Sequence, residues 1–145
     1  MTDSPRQLCT LFVADLFLGI DVLSVQEVLR ARELTEVPLA PDTVQGLLNL
    51  RGQIVTTIDL RRRLGLKPNA TERESMFVII RTEADHVAFV VDSVGDVIDV
   101  DDSTFEPPPD NLPASAQHII RGVHKLPERL LHLIDPGAAA QLRAA

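Results

Sequence analysis

Apolar and polar residues alternate in short runs along most of this chain. "LCTLFVADLFLGIDV" (8–22), "IVTTIDL" (54–60), "MFVIIRT" (76–82), "HVAFVVDSV" (86–94) and "RLLHLID" (129–135) are β-branched or apolar stretches of strand length. Polar or proline-bearing segments separate them. Pro38, Pro41 and Asp42 mark one loop, "KPNATERES" (67–75) a second, and "EPPPDNLPAS" (106–115) a third. The prolines of the third cannot donate to a ladder, so it reads as a surface loop or linker. Helical signals are few. "SVQEVLRAREL" (24–34) fits a helix or a strand, because Val25 and Val28 among its apolar positions are β-branched. "DLRRRLGL" (59–66) suits one helical turn stopped by Gly65. "DPGAAAQLRAA" (135–145) is the best helix, with proline early and alanines after it.

The pattern also repeats. "GLLNLRGQIVTTID" matches "GVHKLPERLLHLID" without a gap, so that Gly46, Ile54, Ile58 and Asp59 align with Gly122, Leu130, Ile134 and Asp135. Upstream, "LGIDVLSVQEV" (18–28) aligns with "VAFVVDSVGDV" (87–97). The offsets are 76 and 69, so seven extra residues fall between Val97 and Gly122, where the triple proline lies. Two copies of one small β unit are expected, about 8–66 and about 76–142, within a single domain spanning 1–145. A unit of that size is marginal alone, so the two should share a core.

Composition narrows the function. The chain has 145 residues, 45% of them apolar, and a net charge of −7. That supports a folded core and argues against nucleic-acid binding, which needs a basic surface. Trp and Tyr are absent and there are only five Phe, so a base-stacking platform is poorly supported. The single cysteine, Cys9, excludes an internal disulfide. "MTDSPRQLCTLF" has no long apolar run, so no secretory leader is expected, and no segment reaches the length of a membrane span. A cytoplasmic protein is the simplest reading.

Candidate chemistry is thin. None of His86, His118, His124 and His132 lies near a G-x-S-x-G turn; they read as solvated or core-edge residues. There is no H-x-x-x-H pair and no cysteine pair for zinc. The acidic run from Asp99 lacks the glycine of a calcium loop at its sixth position, where Thr104 stands, and it reads as a β-edge and turn. No glycine-rich phosphate loop is present. Catalytic residues, metal and cofactor are therefore expected to be none. Arg61, Arg62 and Arg63 read as a solvated charged face. Arg51 and Gly52, set between two apolar runs, leave two readings: an anion-binding or catalytic arginine, or a turn that grips a protein partner.

"VQGLLNLRGQIVTTIDLRRRLGL" (44–66) resembles the signature of the CheW-type coupling domain of bacterial chemotaxis. "VQEVLR" (25–30), "VPLAPDTVQG" (37–46) and "VVDSVGDVIDV" (90–100) fit neighbouring segments of that family, and the likeness runs from about Leu8 to Leu142. The chain departs from it at "QIVTTID", where Thr56 stands near a common proline, and at "PGAAAQL" after the second "LID". The resemblance implies an all-β fold of two intertwined five-stranded SH3-like barrels with a few short helices. It implies a non-enzymatic adaptor that bridges a methyl-accepting chemoreceptor cytoplasmic tip and a CheA-type histidine kinase regulatory domain. Localisation would be cytoplasmic, with recruitment to receptor arrays through partners and no direct membrane insertion. The alternatives are an adaptor binding only one of these partners, or a small β-barrel ligand-binder or enzyme.

In that frame Gly52 supplies a positive φ, Leu50 packs inward, and Arg51 holds a carboxylate, for which Glu27 is the candidate. The implied receptor surface comprises Val25, Glu27, Val28, Leu29, Val37, Leu39, Asn49, Leu50, Arg51 and Gly52; the kinase surface is unassigned.

Overall fold

The computed structural model describes residues 6–67, 75–83 and 85–141. The first part of the chain forms β1 (Arg6–Val13), β2 (Leu16–Asp21), β3 (Val25–Arg30), β4 (Val44–Leu50), β5 (Gln53–Asp59) and a single helical turn, α1 (Leu60–Arg63). The second part forms β6 (Met76–Arg81), β7 (His86–Val91), β8 (Ser93–Val100), β9 (Phe105–Glu106), α2 (Ala114–Gln117), β10 (Ile120–Lys125), β11 (Leu130–Ile134) and α3 (Pro136–Ala139).

The parts exchange strands. One sheet runs β8-β1-β2-β11-β10-β9 and the other β3-β6-β7-β5-β4. Each therefore joins two strands of one part to three or more of the other. Two of the four seams are parallel: β2 meets β11 at Leu18–His132, and β5 meets β7 from Thr56–Val87 to Asp59–Val90. The other two, β1 with β8 and β3 with β6, are antiparallel. The two-residue β9 makes the first sheet one strand longer than expected. Its counterpart in the second sheet is a lone bridge between Thr35 and Leu47.

Alternation along the central strands builds three apolar clusters. On β6, Phe77 and Ile79 face a core inside the second sheet, with Leu48, Leu50, Val55, Ala88 and Val90. Val78 and Ile80 face the opposite way, into a core shared with Leu11, Leu18, Ile20, Ile58 and Phe89. A third cluster, Leu8, Val100, Leu131 and Leu133, fills the first sheet. Phe77 and Phe89 are almost wholly buried, and each contributes roughly 2–3 kcal/mol by burial. Both faces of β6 and β7 are covered, one by the shared core and one by the core inside their own sheet.

Several expectations change. Segment 24–34 resolves as strand, because β3 pairs with β6 and a capped turn at Val22–Ser24 uses up its start. The helix expected over 135–145 is a single turn ending at Ala139; residues 142–145 lie outside the described residues. Its alanines favour a helix, but Ala139 is buried against the shared core, so packing sets the turn's place. Most of the polar loop 67–75 also lies outside the described residues. The proline-rich loop is exposed over Pro107 and Pro108, but Leu112 packs on the shared core and Ala116 in α2 is buried. Only its first half is a simple surface connection.

Candidate functional site

The tip of the β4–β5 hairpin is a two-residue turn. Leu50 pairs with Gln53, leaving Arg51 and Gly52 between them. Both have positive φ, 52° and 86° respectively, as the turns that match strand twist require. Gly52 takes that conformation without cost, whereas Arg51 is a non-glycine residue held in a disfavoured region. Two contacts hold it there. The Gly52 N–H donates to Asn49 Oδ1 at 2.9 Å. Arg51 Nη1 donates to Glu27 Oε1 at 3.4 Å, and Nη2 donates to Oε2. The ion pair therefore reaches from the hairpin tip to β3, at the other edge of the same sheet. The guanidinium's hydrogen bond holds the Glu27 carboxyl below the usual carboxylate range, and Glu27 in turn raises Arg51. Both groups are open to solvent, so the pair orients the tip more than it stabilises the fold.

The other expected interface residues do not form one patch. Leu50 is buried, Leu29 packs on the core inside its own sheet, and Val25 packs on the shared core. Val28 is exposed. Val37 and Leu39 are exposed as well, Leu39 completely and with φ of 64°. They belong to the far end of the hairpin, however, where Val37 lies near Asp42, Asp59 and Arg62. β4 separates them from Arg51 by roughly 20 Å, at about 3.3 Å per residue. The surface around the tip is thus Glu27, Asn49, Arg51 and Gly52, together with Ile54, which pairs with Asn49 and is 58% exposed, while Val28 points to the face of β3 opposite Glu27. Ile54 was missed; its place one step out of phase with buried Val55 was the available signal.

The arginine run is not a solvated face. Arg61 pairs with Asp92 at 2.6 Å and is mostly covered. Arg63 donates to the carbonyls of Ala138 and Ala139 at 3.0 and 3.2 Å, closing the end of α3. Only Arg62 stays largely in water, beside Asp59 at 3.6 Å. Asp59 itself caps α1 through the Arg61 N–H. Arg61 and Arg63 are thus used up by the fold.

The histidines divide. His86 opens β7 and lies 3.4 Å from Gln53. His132 is half-buried on β11, and burial pushes its pKa down. His124 is buried on β10, where its Nδ1 lies 2.8 Å from Thr104 Oγ1 and its ring meets Phe105 edge-on. Burial and Arg6 depress its pKa against the opposing pull of Asp102 and Asp101. Burial raises the Cys9 thiol, which makes it a poor nucleophile. Among the described residues no three His, Cys, Asp or Glu side chains come together as metal ligands would.

Comparison with known proteins agrees with this geometry. The family model of the CheW-like domain matches residues 7–143. A chemotaxis protein CheW of Bacillus subtilis is 33% identical over 120 residues, covering 83% of this chain and 77% of that protein. The chemotaxis protein CheW of Klebsiella aerogenes is 32% identical over 117 residues, 81% of this chain and 70% of that one. The crystal structure of the scaffolding protein TtCheW from Thermoanaerobacter tengcongensis superposes with a TM-score of 0.82 at 27% identity, over 91% of this chain and 90% of that chain.

Proposed function

This chain belongs to the family of CheW-like domains, and from that premise we propose that it couples a chemoreceptor's cytoplasmic tip to the regulatory domain of a CheA-type histidine kinase. It is a coupling protein of chemotaxis, with the SH3-like strand architecture of its scaffolding relative. The observation that carries the bridging role is the Arg51–Glu27 pair. The arginine sits on a surface turn in a costly conformation, and its guanidinium is committed to a carboxylate of the same chain. Such a pair keeps a charged tip rigid, with exposed Ile54 paired to Asn49 next to it. A helical receptor tip docks on such a surface through apolar knobs with charges at the rim.

The pair also speaks against a small-molecule or catalytic use of Arg51. Glu27 is ionised at neutral pH, Arg51 holds its carboxyl further below the usual range, and an arginine guanidinium does not give up a proton there. Neither group is poised for proton transfer. No helix among the described residues is long and apolar enough to cross a membrane. We take membrane association to come from the receptor partner.

The test is reconstitution from a receptor-tip fragment, a kinase regulatory domain and this chain, followed by size-exclusion chromatography. All three should co-elute only when this chain is present. Binding to one fragment alone favours the single-partner reading, and binding to neither overturns both.

A further inference from the structure

The two barrels carry equivalent hairpin tips that share their leucine and differ at the three positions after it. At an offset of 76 residues, Leu50-Arg51-Gly52-Gln53 corresponds to Leu126-Pro127-Glu128-Arg129. The second tip closes by the Leu126 N–H donating to the Arg129 carbonyl at 3.0 Å. At the upstream offset of 69, Glu27 corresponds to Asp96. In the first barrel the tip arginine covers the acid. In the second, Pro127 stands in the place of Arg51. Arg129 instead lies over the rings of Phe17 and Phe12, 4.6 and 5.8 Å from their centroids. Among the described residues, Asp96 and Glu128 take part in no ion pair.

A pocket of about 520 Å³ opens at this tip. Phe12, Phe17, Ile98 and Leu126 give it apolar walls, and Asp96 and Glu128 also line it. The guanidinium of Arg129 lies across the two phenylalanine rings without an ion pair to either acid. Its backbone is fixed. Thr10 Oγ1 donates to the Asp96 carbonyl at 2.5 Å, and a Cβ on Gly95 would stand 3.0 Å from the Phe12 ring. An apolar occupant alone would strip water from two carboxylates without replacing it, which is unfavourable. A cation entering with it would offset that loss.

We propose that this mouth takes a cationic–apolar segment of another protein, an arginine or lysine adjoining an apolar side chain. The cation meets Asp96 and Glu128 while its neighbour fills the pocket between Phe17 and Leu126. The partner thus supplies in trans what Arg51 supplies to Glu27 in cis. A second copy of this chain is a poorer occupant, because offering its Arg51 would break the pair with its own Glu27. The inference stands on the two tips themselves and holds whichever protein docks at Arg51.

The probes are two peptides, acetyl-Leu-Arg-Leu-amide and acetyl-Leu-Gln-Leu-amide, titrated into the 15N-labelled chain. The arginine peptide should shift the amides of Phe17, Asp96, Ile98, Leu126, Glu128 and Arg129, leaving Glu27 and Arg51 still. Asp96→Asn and Glu128→Gln should each weaken it by about two- to fivefold, the scale of a partly exposed ion pair. The double change Pro127→Arg with Glu128→Gly rebuilds the first tip and should abolish binding, with an unchanged melting curve. Should that variant not fold, the single variants decide. Equal shifts from both peptides, shifts elsewhere, or none at millimolar peptide would overturn the proposal. So would pocket amides that move with protein concentration alone, since the occupant would then be a second copy.

Discussion

Gly46 and Gly122, 76 residues apart, stand at the same irregularity in the two sheets. Each follows a register shift at the start of its hairpin, between Val44 and Gly46 on β4 and between Ile120 and Gly122 on β10. Each has a crossing backbone pressed against it. A Cβ would stand 2.9 Å from the Thr35 carbonyl oxygen at Gly46, and 2.6 Å from the Glu106 carbonyl oxygen at Gly122. Backbone carbonyls cannot step aside as side-chain ends can. Gly46→Ala and Gly122→Ala should each cost about 1–3 kcal/mol in urea unfolding. Gly52→Ala meets open space and pays only for its positive φ, so it should cost about 1–2 kcal/mol. A wild-type urea midpoint in the first two variants would mean that the bulges relax.

Arg62 and Arg63 are neighbours with opposite fates. Arg63→Ala removes donors from two carbonyls at the end of α3 and should lower stability by about 1–2 kcal/mol. Arg62→Ala should change it by no more than about 0.5 kcal/mol. Thermal melts of the two variants side by side check this, and equal effects would contradict it.

Acid should loosen the second hairpin first. His124 is buried beside Thr104 and Phe105, with Arg6, Asp101 and Asp102 near it, and its folded pKa lies below the ordinary value. A depressed histidine binds fewer protons folded than unfolded. Stability is therefore full above the unfolded pKa of about 6.5 and declines as pH falls below it. His132 adds to the same slope. Denaturant midpoints between pH 7.5 and 5 should fall in the wild type and fall less in His124→Asn. Parallel pH profiles would remove His124 as the cause.

The proline-rich connection should accept length. Two glycines inserted between Pro107 and Pro108 should cost a fraction of about 1 kcal/mol, since a longer loop adds little closure entropy. Leu112→Ala, five residues on, should cost about 1–2 kcal/mol through its packing on the shared core. An insertion as harmful as that truncation would show the whole loop to be structural.

Much of this was legible in the chain. The "ID" pair ending each repeated block marks a real equivalence. Asp59 and Asp135 cap α1 and α3, and their N–H groups donate to Thr43 and Ile119 at 2.7 and 2.8 Å. The Arg51–Glu27 pair was legible too, because a turn string with Gly52 leaves the arginine side chain outside. What escaped was three-dimensional. Val25 and Leu29 look like one apolar stripe, but a register shift between Val25 and Glu27 sends them to different cores. Val37 and Leu39 are close to Glu27 in sequence, yet they lie at the other end of the hairpin. The partners of Arg61 and Arg63 sit 31 and about 76 residues away, beyond any local pattern.

The most direct measurement is a titration of a chemoreceptor-tip fragment against wild type, Arg51→Ala and Arg51→Glu, each with its own melting curve. If the tip is a partner surface held by Glu27, Arg51→Ala should bind roughly five- to a hundredfold more weakly. Arg51→Glu should be weaker still, because it sets a second carboxylate against Glu27. Both should melt close to wild type, since the pair is exposed to solvent. Equal binding by all three proteins would contradict the account and leave Arg51 a solvated turn residue.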